Sequence, residues 1–93
     1  MRAGSEFTLA LKANHSTGYE WVLADSAALG RLRLVSKDYT IPRLDRDRDG
    51  AGGTERWVFR SDGPGNGVVA LAYLRPGETT PPADSARFRV TVR

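Results

Sequence analysis

Apolar residues recur at every second position along most of this chain, the period of a β-strand with one buried face. In "EFTLALK", Phe7, Leu9 and Leu11 share one face, and Thr8, Ala10 and Lys12 the other. "YEWVLA" groups Tyr19, Trp21 and Leu23, and "RLRLVS" pairs Leu32 with Leu34. "ERWVFR" sets Trp57 and Phe59 against Arg56, Val58 and Arg60. "GVVALAYL" is apolar on both faces, which predicts a central strand. In "ARFRVTVR", Phe88, Val90 and Val92 point inward, and Arg87, Arg89, Thr91 and Arg93 outward.

Six strands follow, divided by "NHSTG", "DSAALG", "DGAGG", "SDGPGNG" and "RPGETTPPADS", which carry the Gly, Pro, Asn and Ser that break strands. "DSAALG" has room for one helical turn capped by Asp25 or Ser26. Short strands with regular turn signals predict an all-β fold, an immunoglobulin-like antiparallel β-sandwich of six to seven strands. In antiparallel strands joined in succession, alternate loops emerge at the same end. Residues 14–18, 40–53 and 75–85 are therefore expected to form one surface, with the other two loops at the opposite pole.

Ninety-three residues make a single domain with one modest core. The chain has no cysteine, so neither a disulfide framework nor a thiolate metal site is available. No apolar run approaches the roughly 20 residues of a membrane helix, and "MRAGSEF" has no signal-peptide core. A secreted or cell-envelope location would need a signal outside these residues, so compartment stays open. The formal charge is +3, and only Lys12 and Lys37 are lysine. Most arginines alternate with apolar residues, as solvated strand faces do, which argues against nucleic acid as a partner. Arginine- and alanine-rich, lysine-poor usage suggests a high-GC bacterial source.

Asp45, Asp47, Asp49 and Gly50 have the spacing that opens a calcium loop. Such a loop needs a bidentate carboxylate at its twelfth position, which here is Arg56, and flanking helices. Glu55 stands one place early, and Arg46 and Arg48 offset the aspartates. A self-neutralising charge run that keeps a long loop soluble accounts for the segment without a metal. The only histidine, His15, adjoins Ser16. Neighbours in an extended turn point apart, and a triad would need a buried acid behind the imidazole. "GAGG" leads into a strand rather than a helix, so it is no phosphate cradle. No enzyme, metal or cofactor is expected.

The three loops brought to one end carry "NHSTGYEW", "GAGGTERWVF" and "AYLRPGE". In this order and on this strand pattern they resemble the three signature segments of chagasin-like inhibitors of papain-family cysteine peptidases. That family shows Asn-Pro-Thr-Thr-Gly-Tyr/Phe-x-Trp, Gly-x-Gly-Gly and Arg-Pro-Trp. The resemblance spans nearly the whole chain, including Trp21, Trp57, Phe59, Tyr73 and the closing "FRVTV". The family's first strand would lie before residue 5. The resemblance implies an immunoglobulin-like sandwich and a reversible, competitive, monomeric inhibitor that plugs the peptidase cleft with three loops. Asn14, His15, Ser16, Thr17 and Gly18 would enter the centre, with Ser16 approaching the nucleophilic cysteine. Gly50, Ala51, Gly52, Gly53 and Thr54 would lie along the non-primed subsites, where backbone without Cβ approaches closely. Arg75, Pro76 and Gly77 would cover the primed side.

Two departures bear on that expectation. His15 replaces a proline, which removes a fixed φ and is expected to loosen the loop. Gly77 stands where the family has tryptophan. An aromatic anchor is worth about 2 kcal/mol at an interface, roughly thirtyfold in affinity, so a tryptophan at residue 77 is expected to tighten binding. The alternative function is an immunoglobulin-like adhesion or interaction module that keeps the fold and binds another protein or a carbohydrate.

Overall fold

Burial follows the two-residue alternation into six strands in two antiparallel sheets. The computed structural model describes residues 2–41 and 52–93. The strands are β1 (Glu6–Ala13), β2 (Glu20–Leu23), β3 (Leu32–Thr40), β4 (Gly53–Ser61), β5 (Gly65–Leu74) and β6 (Asp84–Val92). One sheet has the order β1-β4-β3 and the other β2-β5-β6. The core lies between them: Trp57 and Phe59 from β4 meet Trp21, Val69, Leu71 and Val92 from the second sheet. This is the immunoglobulin-like all-β sandwich expected. No helix among the described residues is long and apolar enough to cross a membrane.

The two central strands solve burial differently. On β4, Glu55, Trp57, Phe59 and Ser61 are buried while Arg56 and Arg60 are exposed. On β5, residues 69–72 are all buried, so its reading as a central strand holds. The helical turn forms as a 3-10 turn, Ala27–Leu29, whose Ala28 N–H donates to Asp25 Oδ1 at 3.2 Å.

β3 departs from expectation. The strand runs on to Thr40, and Leu34 is not a core partner of Leu32. Leu32 is buried, but Leu34 is 38% exposed. The register slips between Leu34 and Ser36, leaving Val35 as a bulge on an edge strand. A bulge inserts one residue and reverses the parity beyond it. Lys37 and Tyr39 consequently pair with Trp57 and Glu55 and share their inward face. An inward lysine breaks the apolar alternation, which is why the second half of the strand is hard to see in the sequence.

Register also fixes which loops share an end. Ala13 pairs with Gly53 and Thr40 with Thr54, so the end of β1, the end of β3 and the start of β4 lie together. Glu20 pairs with Leu74 and Tyr73 with Asp84, which places the start of β2 and the β5–β6 connection side by side.

Candidate functional site

The loop of residues 14–18 joins the two groups of strand ends across the sandwich. It is a 3-10 turn, His15–Thr17, not the extended turn the sequence suggested. Asn14 caps it: its Oδ1 accepts from Ser16 N at 3.2 Å and from the Ser16 hydroxyl. Thr17 Oγ1 donates to Asn14 O at 2.7 Å, and Gly18 N to His15 O at 3.0 Å. Gly18 closes the turn at φ +83°, a left-handed conformation that favours glycine. Ser16 and Thr17 are exposed at the tip.

Beneath this turn lies a feature that the sequence reading passed over. Glu55 is fully buried on the inward face of β4. Its Oε2 accepts from His15 Nε2 at 2.8 Å and from Trp21 N at 2.9 Å. Its Oε1 accepts from Trp57 Nε1 at 3.0 Å and lies 3.8 Å from Lys37 Nζ. A carboxylate can only accept, so Nε2 of His15 carries the hydrogen. Burial pushes the Glu55 carboxyl up. The hydrogen bonds from His15, Trp21 and Trp57, with the Lys37 charge, outweigh it and hold the group below the usual glutamate range. Lys37 also donates to Trp21 O at 2.9 Å and sits 4.6 Å from the Trp57 ring centroid. No buried side-chain polar atom among the described residues lacks a partner.

His15 therefore anchors the loop instead of loosening it. Its ring stacks on Tyr39 with centroids 3.7 Å apart. The missing φ restraint of proline is replaced by a side-chain tether to the core. Tyr73 adds a second hold, its hydroxyl accepting from Asn14 N at 2.8 Å. A signal for Glu55 existed in the sequence: it has the parity of Trp57 and Phe59, so alternation alone puts a carboxylate inside. His15 and Tyr39 could not be assigned to it, because their contacts depend on the bulge in β3 and on the turn.

The described residues of the other two loops lie beside this one, as the counting predicts. Arg75 Nε donates to Thr17 O at 3.0 Å, and its guanidinium lies 4.7 Å from the Tyr19 ring centroid. A cleft of about 470 Å³ is lined by Ala13, Asn14, Gly52, Gly53, Tyr73 and Asp84, among others, residues drawn from all three regions. Gly50 and Ala51 lie outside the described residues, as do Asp45, Asp47 and Asp49. Glu55, the nearest carboxylate to that run in the sequence, is committed to the core. No group of three or more His, Cys, Asp or Glu side chains among the described residues could hold a metal.

Gly52 and Gly53 differ in kind. Gly52 is exposed, and a Cβ there would meet only Ala13 O at 3.6 Å. A Cβ on Gly53 would collide with Thr40 O and approach the Tyr39 ring to 2.8 Å, so glycine at 53 is a requirement of the fold. Thr54 is half-buried. Residues 75–78 form a turn closed by Glu78 N to Arg75 O at 3.2 Å, with proline second and Gly77 third at φ +88°. That is the pattern of a type II turn, which needs positive φ at its third residue. A side chain such as tryptophan at 77 is strained in this backbone although a Cβ there would meet nothing within 4 Å, so the expected gain in binding is set against a backbone cost.

The sequence pattern named Chagasin family peptidase inhibitor matches residues 1–92. The chain belongs to the chagasin family. Members of this family are inhibitors of cysteine peptidases and not enzymes. Among solved structures, the cysteine protease inhibitor EhICP2 of Entamoeba histolytica superimposes with TM-score 0.83 at 20% identity, covering 100% of this chain and 83% of that one. The solution structure of amebosin superimposes with TM-score 0.69 at 26% identity, covering 99% of this chain and 82% of that one. No curated protein sequence matches the chain.

Proposed function

We propose that this chagasin-family chain is a reversible, competitive inhibitor of papain-family cysteine peptidases, acting as a monomer with its 14–18, glycine-rich and 75–77 loops in the active-site cleft. The observation that carries this reading is the direct bond between two of those loops, Arg75 Nε to Thr17 O at 3.0 Å, with Ser16 and Thr17 exposed beside it. In this reading the tip enters as one body, and Ser16 approaches the enzyme's nucleophile. Peptidases cleave extended segments. A 3-10 turn held by five internal hydrogen bonds presents no extended bond, which supports a plug that is not consumed. Exposed Gly52 gives backbone access on one side, and Pro76 and Gly77 cover the other.

A papain titration tests this. Addition of the protein is expected to raise the apparent KM without changing Vmax, with inhibitor recovered intact after dilution. Full papain activity at high micromolar inhibitor ends the proposal. A second reading, an interaction module for another protein or a carbohydrate, draws on Gly77, whose turn holds no aromatic anchor. It is favoured if inactive papain shifts no amide resonance at the tip.

A further inference from the structure

We propose that Glu55, acting through the His15 imidazole, is the positioning residue of the 14–18 loop: a carboxylate buried between the sheets sets where Ser16 and Thr17 are presented. This rests on the inhibitory role of the loop proposed above.

Four groups converge on the carboxylate, three hydrogen-bond donors and the Lys37 ammonium at 3.8 Å, and only one of them belongs to the loop. Trp21 N comes from β2, Trp57 Nε1 from β4 and Lys37 Nζ from β3. These three hold the carboxylate in place whatever the loop does, so it is a fixed post spanning both sheets. The fourth group, His15 Nε2 at 2.8 Å, ties the loop to that post. The Tyr39 ring backs the imidazole and fixes its plane. Ser16 and Thr17 are bonded to Asn14 within the turn, and Gly18 to His15. A unit so braced moves as a body, and holding His15 therefore holds Ser16. A hydrogen bond to a charged, buried acceptor is among the stronger ones available, and its donor here sits next to the exposed apex.

Removing His15 leaves Glu55 with two hydrogen bonds and the Lys37 ion pair, so the fold is expected to survive while the tether is lost. Three variants separate positioning from core support. His15→Ala is expected to stay folded and to weaken papain inhibition about tenfold, the size of one charge-assisted bond. Lys37→Met removes a different partner of the same carboxylate. It is expected to lower Tm at least as much as His15→Ala, yet to change Ki less than about twofold, because nothing in the loop touches it. Glu55→Gln is expected to match His15→Ala in Ki, with the double variant no weaker than the weaker single. Should Glu55→Gln not fold, the first two variants decide alone. A folded His15→Ala with wild-type Ki overturns the assignment, and so does equal weakening by Lys37→Met. If wild-type protein itself leaves papain untouched, the functional reading falls. The positioning role is then judged by 15N relaxation: increased motion of Ser16 and Thr17 in His15→Ala but not in Lys37→Met upholds it, and unchanged motion overturns it.

Discussion

Two loops share the tip of the sandwich and are held in opposite ways. Residues 14–18 are tethered from below, by Glu55 and Tyr39 through His15 and by Tyr73 through Asn14. Residues 75–83 are all exposed and are held from the side, by Arg75 on Thr17 and Tyr19, with Ala83 N returning to Tyr73 O at 2.8 Å. Depth of anchoring divides the labour. The first loop has a geometry imposed by the core, whereas the second leans on the first and can adapt.

The largest effect is expected where the deep anchor is broken at its base. Glu55→Leu leaves two indole or amide donors, an imidazole and an ammonium around an apolar group. It should cost about 3 kcal/mol or more, which lowers Tm by at least ~12 °C in a domain of this size. A Tm within a few degrees of wild type would show that the anchor is not structural. The same carboxylate predicts an acid limb. Its folded pKa lies below the usual value, so its contribution is full above about pH 4.3 and is lost as pH falls through the lowered folded value. Urea midpoints measured downward from neutral pH are expected to drop more steeply in wild type than in Glu55→Leu.

Gly53→Ala is expected to have an intermediate effect, a loss of about 1–3 kcal/mol from forcing a Cβ against Thr40 and Tyr39. Gly52→Ala, one residue earlier, should leave stability within ~0.5 kcal/mol and affect only Ki. Equal denaturation midpoints for the two variants would erase the distinction between a glycine the fold requires and one left for contact. The smallest effect belongs to the lateral clasp. Arg75→Ala is expected to cost under about 1 kcal/mol because Arg75 and Thr17 are exposed. Relaxation of residues 75–83 should nonetheless rise while that of 14–18 stays the same. Equal loosening of both loops would show that the deep anchor does not act independently.

How far the sequence reveals these features follows from the range of the interactions. Two-residue alternation made the strands legible, with β5 central and "NHSTG", Gly52-Gly53 and "RPGET" at one end. Those are local signals combined with a counting rule. The phase reversal at Val35 was not legible, because a bulge is set by pairing with a strand more than twenty residues away. The contact of His15 with Glu55, forty residues apart, depends on that reversal through Tyr39, and so it was hidden as well. Glu55 itself was half legible: its parity pointed inward, but with only Arg56 and Arg60 considered as neighbours its burial had no evident compensation.

The clasp between Arg75 and Thr17 has a kinetic corollary. Two segments 58 positions apart are already mutually ordered before any partner arrives, so this part of the conformational entropy is lost during folding and not at encounter. Association is then governed by diffusion and orientation, which vary little among related partners. Discrimination between one peptidase and another should therefore lie mainly in how long the complex lasts.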